Sequence, residues 1–321
     1  MGDTPKLALS LDFGGTKLAC AIVNTDLGKI VNYTYMANKT KNASSNIQEM
    51  LTMADWLLSL DKEPVSCVGV SFGGIVHPDG SVVSDHIPGY EDINLRNILE
   101  EKFRSPVYIA NDCNAAVLGE WYYGAGKDKK DCIYVQLSTG IGCGIIIDGR
   151  LYSGMGGAGE LGHICVDDGS DEVCVCGNKG CLENFISGWG LKNRARRYWD
   201  KAGEDSYLTR KCKGNPDNAS AEMIFAGAKE DDPFCRWLTD TAVRKLGLAI
   251  SHLINLWDPS LIVFGGGISG DFSYFIDSMK EITAQHVPGG DLSHCEFKKS
   301  KLKGNAPLLG ASILNIMDNT D

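Results

Sequence analysis

A glycine-turned hairpin that occurs twice most constrains the fold of this chain. Residues 7–23 read as an apolar strand, a glycine turn and a second apolar strand. Residues 133–147 repeat the pattern and are again followed by a turn, Asp148-Gly149. Two hairpins of one design predict a duplicated architecture, because each would start one structural repeat.

Strand and helix patterns alternate around these hairpins. Short apolar runs predict buried strands, and longer amphipathic stretches predict helices. The predicted strands are 65–71, 107–110 and 261–264, and the predicted helices are 46–60, 95–103 and 233–257 with a last helix starting near Pro307. This alternation in two similar halves predicts an α/β protein of two lobes with a cleft between them, where small ligands usually bind.

The repeat also suggests a division of the chain. We expect a small α/β lobe at residues 1–112, rejoined by the C-terminal helix at about 305–321. The larger lobe then covers residues 113–304 and carries a glycine- and cysteine-rich loop.

Charge and hydrophobicity exclude several classes of partner. The 31 Lys and Arg residues against 41 Asp and Glu residues give a net charge of −10. Such a chain has no general attraction to nucleic acid or to anionic membranes, so an anionic ligand needs a local site. No apolar run of about 20 residues and no secretory signal pattern occurs, and we therefore expect a cytoplasmic protein.

Twelve cysteines are spread over the 321 residues. Disulfide scaffolds are short and dense in cysteine, so we expect most of these thiols to be reduced, either packed in cores or holding metal. Cys20, Cys132 and Cys143 lie in apolar strand contexts and are expected to behave as small core side chains.

Three glycine turns follow apolar strands and can bind phosphate. They occupy residues 12–17, 138–144 and 265–267. Glycines without a Cβ let backbone N–H groups approach phosphate oxygens, and Thr16, Thr139 and Lys17 add donors and a positive charge. The spacing is not that of a Walker motif. The alternative is that each is a hairpin turn whose glycines need positive φ angles.

Asn111 and Asp112 follow the predicted strand 107–110, at the edge where open α/β sheets present reactive groups. An aspartate there can accept the proton of an attacking alcohol, while the neighbouring amide orients hydroxyl groups. The alternative is structural: Asp112 would be the N-cap of the helix that follows.

A histidine and three cysteines have the spacing of a metal site. They are His163, Cys174, Cys176 and Cys181. Such a set completes a tetrahedral zinc site with no open position, which is a structural site. Its task would be to hold Glu160 and Glu183 in fixed positions. Disulfides or free thiols are the alternative.

With these residues assembled, the chain resembles the ROK family (repressors, open reading frames and sugar kinases) of the hexokinase and actin-like ATPase superfamily. Three motifs carry the resemblance: Asn-Asp-Cys-Asn-Ala-Ala-Val-Leu-Gly-Glu at 111–120, Gly-Glu-Leu-Gly-His at 159–163, and Cys-x-Cys-Gly-x-x-Gly-Cys-x-Glu at 174–183. The resemblance implies a two-lobed, ribonuclease H-like α/β fold with duplicated βββαβαβα lobes and an interlobe cleft.

The resemblance also implies roles. In members with this pattern, the aspartate matching Asp112 is the general base that deprotonates the sugar hydroxyl attacking the γ-phosphate of ATP. The residues matching sugar-binding positions are Asn111, Glu160, His163, Glu183 and Gly74. The loop that holds Gly74 reads Ser-Phe-Gly-Gly where many relatives have Pro-Gly. The histidine also ligates structural Zn²⁺ together with the three cysteines.

The nucleotide is assigned in the same way. The positions matching ATP-binding residues are Gly14, Gly15, Thr16, Lys17, Ser138, Thr139, Gly140 and Gly142, with Gly266 near the adenosine. Asp12, beside the first turn, is our candidate to hold Mg²⁺ through water, since Mg²⁺ would bridge the phosphates.

The resemblance therefore predicts an ATP-dependent sugar kinase acting on the 6-hydroxyl, with glucose as the leading substrate. The Ser71–Gly74 loop keeps an N-acylhexosamine kinase, acting on N-acetylmannosamine or N-acetylglucosamine, as the alternative. A sugar-sensing regulator is less favoured, because about ten residues precede Asp12, too few for a DNA-binding helix-turn-helix. A purely structural zinc module would leave the three turns unexplained. The expected partners are sugar, ATP and a second copy in a homodimer, without nucleic acid or membrane.

Overall fold

The computed structural model describes residues 6–40, 42–60, 63–84 and 87–318. Its β-strands are β1 (Leu7–Phe13), β2 (Lys17–Asn24), β3 (Lys29–Ala37), β4 (Cys67–Phe72), β5 (Ile75–Val76), β6 (Val82–Val83), β7 (Val107–Asn111), β8 (Cys132–Leu137), β9 (Ile141–Ile147), β10 (Arg150–Leu151), β11 (Leu261–Gly265) and β12 (Glu296–Lys299). Its α-helices are α1 (Ala43–Leu60), α2 (Leu95–Phe103), α3 (Asp112–Tyr123), α4 (Glu183–Ile186), α5 (Gly188–Arg197), α6 (Tyr207–Lys211), α7 (Ala221–Lys229), α8 (Pro233–Trp257), α9 (Phe272–Gln285), α10 (Ala306–Ala311) and α11 (Leu314–Asp318).

Two five-stranded sheets have the same spatial order. The first runs β3-β2-β1-β4-β7 and the second β10-β9-β8-β11-β12. In the first sheet β1 pairs antiparallel with β2 and parallel with β4, and β4 pairs parallel with β7. In the second, β11 and β12 are parallel. The repeated order confirms the predicted duplication and the α/β, ribonuclease H-like fold class.

Local sequence explains where these elements begin and end. Every residue of β1 is buried, as expected for a central strand covered on both faces. Exposed and partly buried residues alternate along β3, as in a strand with one solvated face. Helix α8 starts with Pro233 after Asp232, whose side chain accepts a hydrogen bond from the backbone N–H of Cys235. This is a favoured N-terminus, because the aspartate satisfies a helix N–H and proline needs none there.

The first sheet has apolar cover on both faces. On one face, side chains of β1 and β4 join those of α1 and α2 in one cluster that includes Leu9, Met50 and Leu99. On the other face, alanine and valine side chains of β2 pack against Leu308 and Leu309 of α10. The small side chains let the helix approach the sheet closely.

Glycines bring α3 and α10 into close contact. A Cβ on Gly310 would collide with the backbone carbonyl of Ala115, and one on Gly119 would collide with that of Ala306. Near this crossing, buried Glu120 accepts hydrogen bonds from the Ser300 hydroxyl at 2.6 Å and the backbone N–H of Leu302 at 2.8 Å. The carboxylate therefore fastens residues 300–302 to α3.

The chain falls into two compact units. Unit 1 comprises the described residues of Met1–Tyr134, Gly144–Gly159 and Ser300–Asp321, and unit 2 comprises Val135–Cys143 and Glu160–Lys299. These limits differ from the division near residue 112 expected from the sequence, because α3 packs against α10 within unit 1. Each unit is described by itself.

The cysteines behave largely as expected. None of the twelve is in a disulfide. Cys20, Cys132 and Cys143 are buried, which confirms their prediction as core side chains. Burial raises the pKa of the Cys20 and Cys143 thiols to about 12, so both stay protonated at neutral pH. Among the described residues, we find no helix with the length and apolar character needed to cross a membrane.

Candidate functional site

The first glycine turn joins β1 to β2 in unit 1. The backbone N–H of Gly14 donates to the carbonyl of Lys17 at 3.1 Å, and the Asn38 side chain donates to the carbonyl of Gly14 at 3.1 Å. Neither Gly14 nor Gly15 has a positive φ angle. The alternative interpretation, that these glycines are needed for left-handed backbone, is therefore wrong for this turn.

Gly14 and Gly15 differ in what surrounds them. A Cβ on Gly14 would lie 2.8 Å from the carbonyl oxygen of Lys17, so the turn itself requires that glycine. A Cβ on Gly15 would meet no atom within 4 Å. The fold therefore makes no steric demand for glycine at position 15, and the open space beside it can admit an anion to the backbone N–H groups.

Asp12 lies in β1 just before this turn and is 9% exposed. The register of the parallel strands places Ser71 of β4 beside it, and the Ser71 hydroxyl donates to Asp12 Oδ1 at 2.7 Å. Burial raises the pKa of Asp12 to about 6, and the negative charge of Asp112 adds to the rise, while the Ser71 hydrogen bond and Lys17 lower it. Asp12, Asp112 and Lys17 thus form one electrostatic group.

Asn111 and Asp112 stand where β7 ends and α3 begins. The side-chain oxygen of Asn111 accepts hydrogen bonds from the backbone N–H groups of Cys113 at 2.9 Å and Asn114 at 3.3 Å. Asn111 is therefore the N-cap, and the alternative assignment of that role to Asp112 is wrong, because Asp112 is the first residue of the helix. Asp112 is partly exposed, and its Oδ1 accepts from the N–H of Cys113 at 2.9 Å.

Gly74 is held against the same residues. The Asn111 side-chain amide donates to the carbonyl of Gly74 at 3.0 Å. A Cβ on Gly74 would collide with the carbonyl of Val83 and approach the ring of Phe72 to 2.8 Å. Glycine is therefore needed at position 74 for close packing. The hydrogen bond from Asn111, the residue before Asp112, fixes this loop beside the candidate base.

The second glycine turn, residues 138–140, lies in unit 2. The backbone N–H of Ser138 donates to the carbonyl of Gly140 at 3.0 Å, and the N–H of Gly188 donates to the carbonyl of Ser138 at 2.8 Å. Gly140 has no positive φ angle either, so the left-handed interpretation is wrong here as well. A Cβ on Gly140 would lie 2.8 Å from Oε2 of Glu183. Gly142, another predicted phosphate-binding residue, lies in β9 after this turn.

Glu183 is the first residue of α4 and is 5% exposed. Its Oε2 accepts a hydrogen bond from the backbone N–H of Ile141 at 2.9 Å, and its Oε1 accepts one from the indole Nε1–H of Trp189 at 3.1 Å. Both carboxylate oxygens therefore have a donor. The predicted sugar-binding carboxylate lies against the second glycine turn and supports its backbone.

The third turn behaves differently. Gly266 has a φ of 83°, and a Cβ there would collide with the backbone carbonyl of Leu137. The Ser269 hydroxyl donates to the Gly266 carbonyl at 2.7 Å. For Gly266 the conformational explanation is thus sufficient. Its contact with Leu137 brings the third turn next to the start of the second.

The four predicted metal ligands come together in unit 2. One ligand atom from each of His163, Cys174, Cys176 and Cys181 lies within 4.8 Å of all the others. Cys174 Sγ is 3.6 Å from His163 Nδ1, and the sulfurs of Cys176 and Cys181 are 3.7 Å apart. Tetrahedral bond lengths of about 2.3 Å to sulfur and about 2.0 Å to nitrogen place neighbouring ligand atoms about 3.5 to 3.8 Å apart. The side chains fit a four-coordinate metal ion, and the disulfide alternative is wrong.

The two ring nitrogens of His163 have different surroundings. Nδ1 faces the cysteine sulfurs, whereas Nε2 lies 3.9 Å from Oε2 of Glu160. Glu160 is exposed and precedes the short 3₁₀ helix Leu161–His163. One imidazole can therefore ligate a metal through Nδ1 and present Nε2, beside a carboxylate, to a second group.

Sequence reasoning missed three supporting residues: Ser71, Asn38 and Trp189. Ser71 and Asn38 hold Asp12 and Gly14, and Trp189 holds Glu183. A signal existed for Ser71, because it ends an apolar strand as Asp12 does and adjacent parallel strands bring such ends together. For Asn38 and Trp189 the sequence holds no comparable signal.

Each unit thus gathers its own part of the predicted set. Unit 1 brings together Asp12, Lys17 and Asp112 with Asn111 and Gly74. Unit 2 brings together the second and third turns, Glu183, and the His/Cys cluster with Glu160. The first set can bind an anion and accept a proton, and the second can bind an anion and hydroxyl groups.

Known proteins resemble the whole chain. It is 30% identical to a glucokinase of Thermotoga maritima over 313 residues, which cover 96% of this chain and 97% of the relative. It is 33% identical to a xylose repressor of Caldicellulosiruptor bescii over 253 residues, 78% of this chain but 62% of the repressor, so the match spans less than two thirds of that relative.

A solved structure has the same fold. It is a ROK family glucokinase from Streptomyces griseus in complex with glucose and AMPPNP, with a TM-score of 0.80 and 30% identity, covering 96% of this chain and 98% of that one. The model of the ROK family matches residues 8–317. That match includes all three glycine turns, Asn111 with Asp112, and the His/Cys cluster, and the chain belongs to the ROK family.

Proposed function

We propose that this protein is an ATP-dependent sugar kinase that transfers the γ-phosphate of ATP to a sugar 6-hydroxyl. The observation that carries the proposal is the first glycine turn with its carboxylates. The fold makes no steric demand for glycine at position 15, and the space beside it is open. Asp12, Lys17 and Asp112 interact electrostatically beside this turn. Phosphoryl transfer needs this combination of an anion cradle, a cation and a base.

Asp112 is the general base in this proposal. It is partly exposed at the N-terminus of α3, where the backbone N–H of Cys113 holds its Oδ1. The carboxylate accepts the proton of the sugar hydroxyl as that oxygen attacks phosphorus. Asn111 keeps Asp112 in place by capping the helix and orients the Gly74 loop through its amide.

The turns hold the triphosphate. In unit 1 the donors available to phosphate oxygens are the backbone N–H of Gly15, the hydroxyl of Thr16 and Lys17, because the Gly14 N–H is already bonded to the carbonyl of Lys17. In unit 2 the hydroxyl of Thr139 is such a donor. Asp12 offers a carboxylate oxygen suited to Mg²⁺, a hard cation, and would hold it through water. Mg²⁺, when bound, neutralises charge on the phosphates.

The second unit supplies hydroxyl-binding groups. Glu160, Nε2 of His163 and Glu183 are the candidates for the sugar. The His/Cys cluster would hold structural Zn²⁺, because three thiolates and one imidazole are the donor set that zinc prefers in closed sites. That ion supplies a fixed loop rather than a reaction step.

Glucose is the proposed substrate, supported by the glucokinases among the relatives. An N-acylhexosamine is the second candidate, favoured by the Gly73-Gly74 pair. A Cβ on Gly73 would be in ordinary van der Waals contact with the backbone of residues 13–15, at 3.4 to 3.9 Å, so close packing does not explain the glycine at this position. The homodimer expected from the family stays a prediction.

The test is sugar-dependent ADP release with Mg-ATP over a panel of glucose, mannose, fructose, allose, N-acetylglucosamine and N-acetylmannosamine. We expect turnover of one sugar, and a kcat lower by about 10² to 10⁴ in Asp112→Asn with ATP affinity nearly unchanged, because only the positioned base is lost. Asp55→Asn, an exposed aspartate of α1 that pairs with Lys102, is the matched control.

Near-normal turnover in Asp112→Asn would refute the assignment of the base. Sugar binding without turnover across the panel would instead support a sugar-responsive regulator. Activity restricted to N-acetylated sugars would support the second candidate substrate.

A further inference from the structure

A cavity in unit 2 lies along α5, whose Trp189 also donates a backbone hydrogen bond to the carbonyl of Thr139 in the second glycine turn. Its volume is about 560 Å³, and its walls include Trp189, Arg194, Arg196 and Arg197 of α5, together with Glu172 and Asn184. Small-molecule sites commonly have volumes of about 300 to 1,000 Å³ and a few convergent polar groups. Nothing in the kinase proposal uses this cavity.

Two buried polar atoms in its walls lack partners. Asn184 is 3% exposed and Arg194 is 6% exposed. Within the described part of the chain, neither Asn184 Oδ1 nor Arg194 Nε has a hydrogen-bond partner. Buried polar groups are usually satisfied, because leaving one unpaired costs free energy. Asn184 Oδ1 can accept a hydrogen bond and Arg194 Nε–H can donate one, and a hydroxyl group is a suitable partner for either atom.

The rest of the wall is suited to an anion. Arg196 pairs with Asp217 and Arg197 with Asp171, but all four side chains are more than two fifths exposed. Such exposed pairs are weak and can be exchanged for a ligand phosphate, to which a guanidinium binds more strongly. Two acidic side chains line the cavity: Glu172 is neutralised by Arg194 and also accepts the Tyr198 hydroxyl, and Asp217 is the exposed partner of Arg196.

We propose that this cavity binds a sugar phosphate. The phosphate would bind Arg196 and Arg197, and ligand hydroxyls would form hydrogen bonds with Asn184 and Arg194. The indole of Trp189 offers a flat apolar surface to the C–H face of the sugar ring. The choice of ligand class rests on the proposed function, because the product of the proposed reaction is a sugar phosphate.

Trp189 connects this cavity to the candidate active site. Its Nε1–H donates to Glu183 Oε1, and the other oxygen of Glu183 accepts from the N–H of Ile141 at the second glycine turn. A ligand that packs against the indole changes the position of the donor that orients Glu183. Occupancy of the cavity therefore regulates sugar binding by the same unit.

The test is calorimetric titration of the full chain with glucose 6-phosphate and, separately, with inorganic phosphate. Arg196→Ala removes one phosphate ligand, and we expect affinity for glucose 6-phosphate to fall about tenfold. The matched control is Arg236→Ala, whose side chain is 53% exposed against 52% for Arg196 and which also pairs with an aspartate. Arg197→Ala is the second variant.

Unchanged affinity in both Arg196→Ala and Arg197→Ala, or no binding at all, overturns the proposal, since binding at the active site alone would not depend on these arginines. Inorganic phosphate binding as tightly as glucose 6-phosphate overturns the sugar part. In the kinase assay, added glucose 6-phosphate should change the KM for sugar in the wild type and less in Arg196→Ala. If no sugar is phosphorylated, the titration still judges the cavity, so failure of the proposed function is separately visible.

Discussion

The first and second glycine turns have the same place in their sheets, but different side chains hold them. Beside the first turn, the carboxylate is Asp12 of the preceding strand, buried and held by one hydroxyl. Beside the second, the carboxylate is Glu183, which lies 42 residues after Ile141 and has a donor on each oxygen. The position two residues before the second turn, equivalent to Asp12, is Gln136.

The difference separates duplicated geometry from chemistry. A hairpin with a glycine turn is specified by local sequence, and the chain keeps it twice. The charge behind the turn is not part of that repeat. At the first turn, burial disfavours the charged form of the Asp12 carboxylate, and a bound cation can offset that cost. At the second turn, the Glu183 carboxylate has a hydrogen-bond donor on each oxygen and stabilises the loop.

Loss of the His/Cys cluster should have the largest effect on stability, and it should affect the second turn but not the first. Glu183 follows Cys181 by two residues, so Cys181→Ser should release the support of the second turn. We expect the free energy of unfolding to fall by about 4 kcal/mol or more, because metal binding contributes directly to folding. Metal content by atomic absorption and urea unfolding measure this.

Hydrogen exchange distinguishes the two turns in the same variant. The N–H of Ile141 should lose protection while the N–H of Gly14 keeps it. Cys165→Ser, a neighbouring exposed cysteine outside the cluster, is the control. Equal loss of protection at both amides would contradict the separation.

Asp12 should give the first turn a pH dependence of stability. Its pKa rises from 3.8 to about 6 on folding. Below pH 3.8 the carboxyl is neutral in both states, and as the pH rises through 6 the folded state must hold the charge. About 3 kcal/mol of stability is therefore lost over this window.

The measurement is the free energy of unfolding of the wild type minus that of Asp12→Asn from pH 4 to 8, without Mg²⁺ or nucleotide. As the pH rises from 4, this difference should fall, because the wild type loses stability that Asp12→Asn does not lose. A difference that stays flat over this range would show that Asp12 is not buried with its charge.

At neutral pH, Glu183→Gln should lower the free energy of unfolding, the opposite of the change expected for Asp12→Asn. A glutamine offers one carbonyl oxygen, and its amide N–H₂ faces a second donor, either Ile141 N–H or the Trp189 indole. We expect a loss of about 1 to 3 kcal/mol in the free energy of unfolding. Glu281→Gln, an exposed glutamate of α9, is the control for the charge change. Stabilisation by Glu183→Gln would remove the contrast between the turns.

Gly15→Ala should have the smallest effect on stability, below about 0.5 kcal/mol, because its Cβ meets no atom within 4 Å. Nucleotide affinity should nevertheless fall about tenfold, since the methyl group would occupy space proposed for a phosphate. Gly140→Ala is the counterpart and should destabilise the fold, because its Cβ would crowd Glu183. Unchanged ATP affinity in Gly15→Ala, measured by calorimetry, would refute the phosphate-binding role of that turn.

Much of the fold is readable from the chain. The predicted helices 95–103 and 233–257 have the bounds of α2 and α8. The hairpins around both glycine turns and the strand 261–264 also lie where periodicity places them. The His/Cys cluster assembles as its spacing predicts. These features depend on neighbours within a few residues or, for the His/Cys cluster, on four residues that all lie between positions 163 and 181.

Contacts across the fold were not readable in this way. The alternative role of Asp112 as a structural N-cap is wrong because Asn111 takes that role, and both residue types cap helices well. The role of Glu120, which binds residues 300–302, depends on a helix crossing made possible by Gly119 and Gly310. Neither follows from local propensity.

Residue types and spacing therefore specify the duplicated hairpins, the His/Cys cluster and the candidate base. Tertiary packing alone settles which glycines are open to a ligand, which carboxylates have hydrogen-bond donors, and that Trp189 joins Glu183 to the cavity along α5. The physical reason is that burial and hydrogen bonding depend on strand register and helix packing between segments far apart in the chain, and these set the electrostatics of each site.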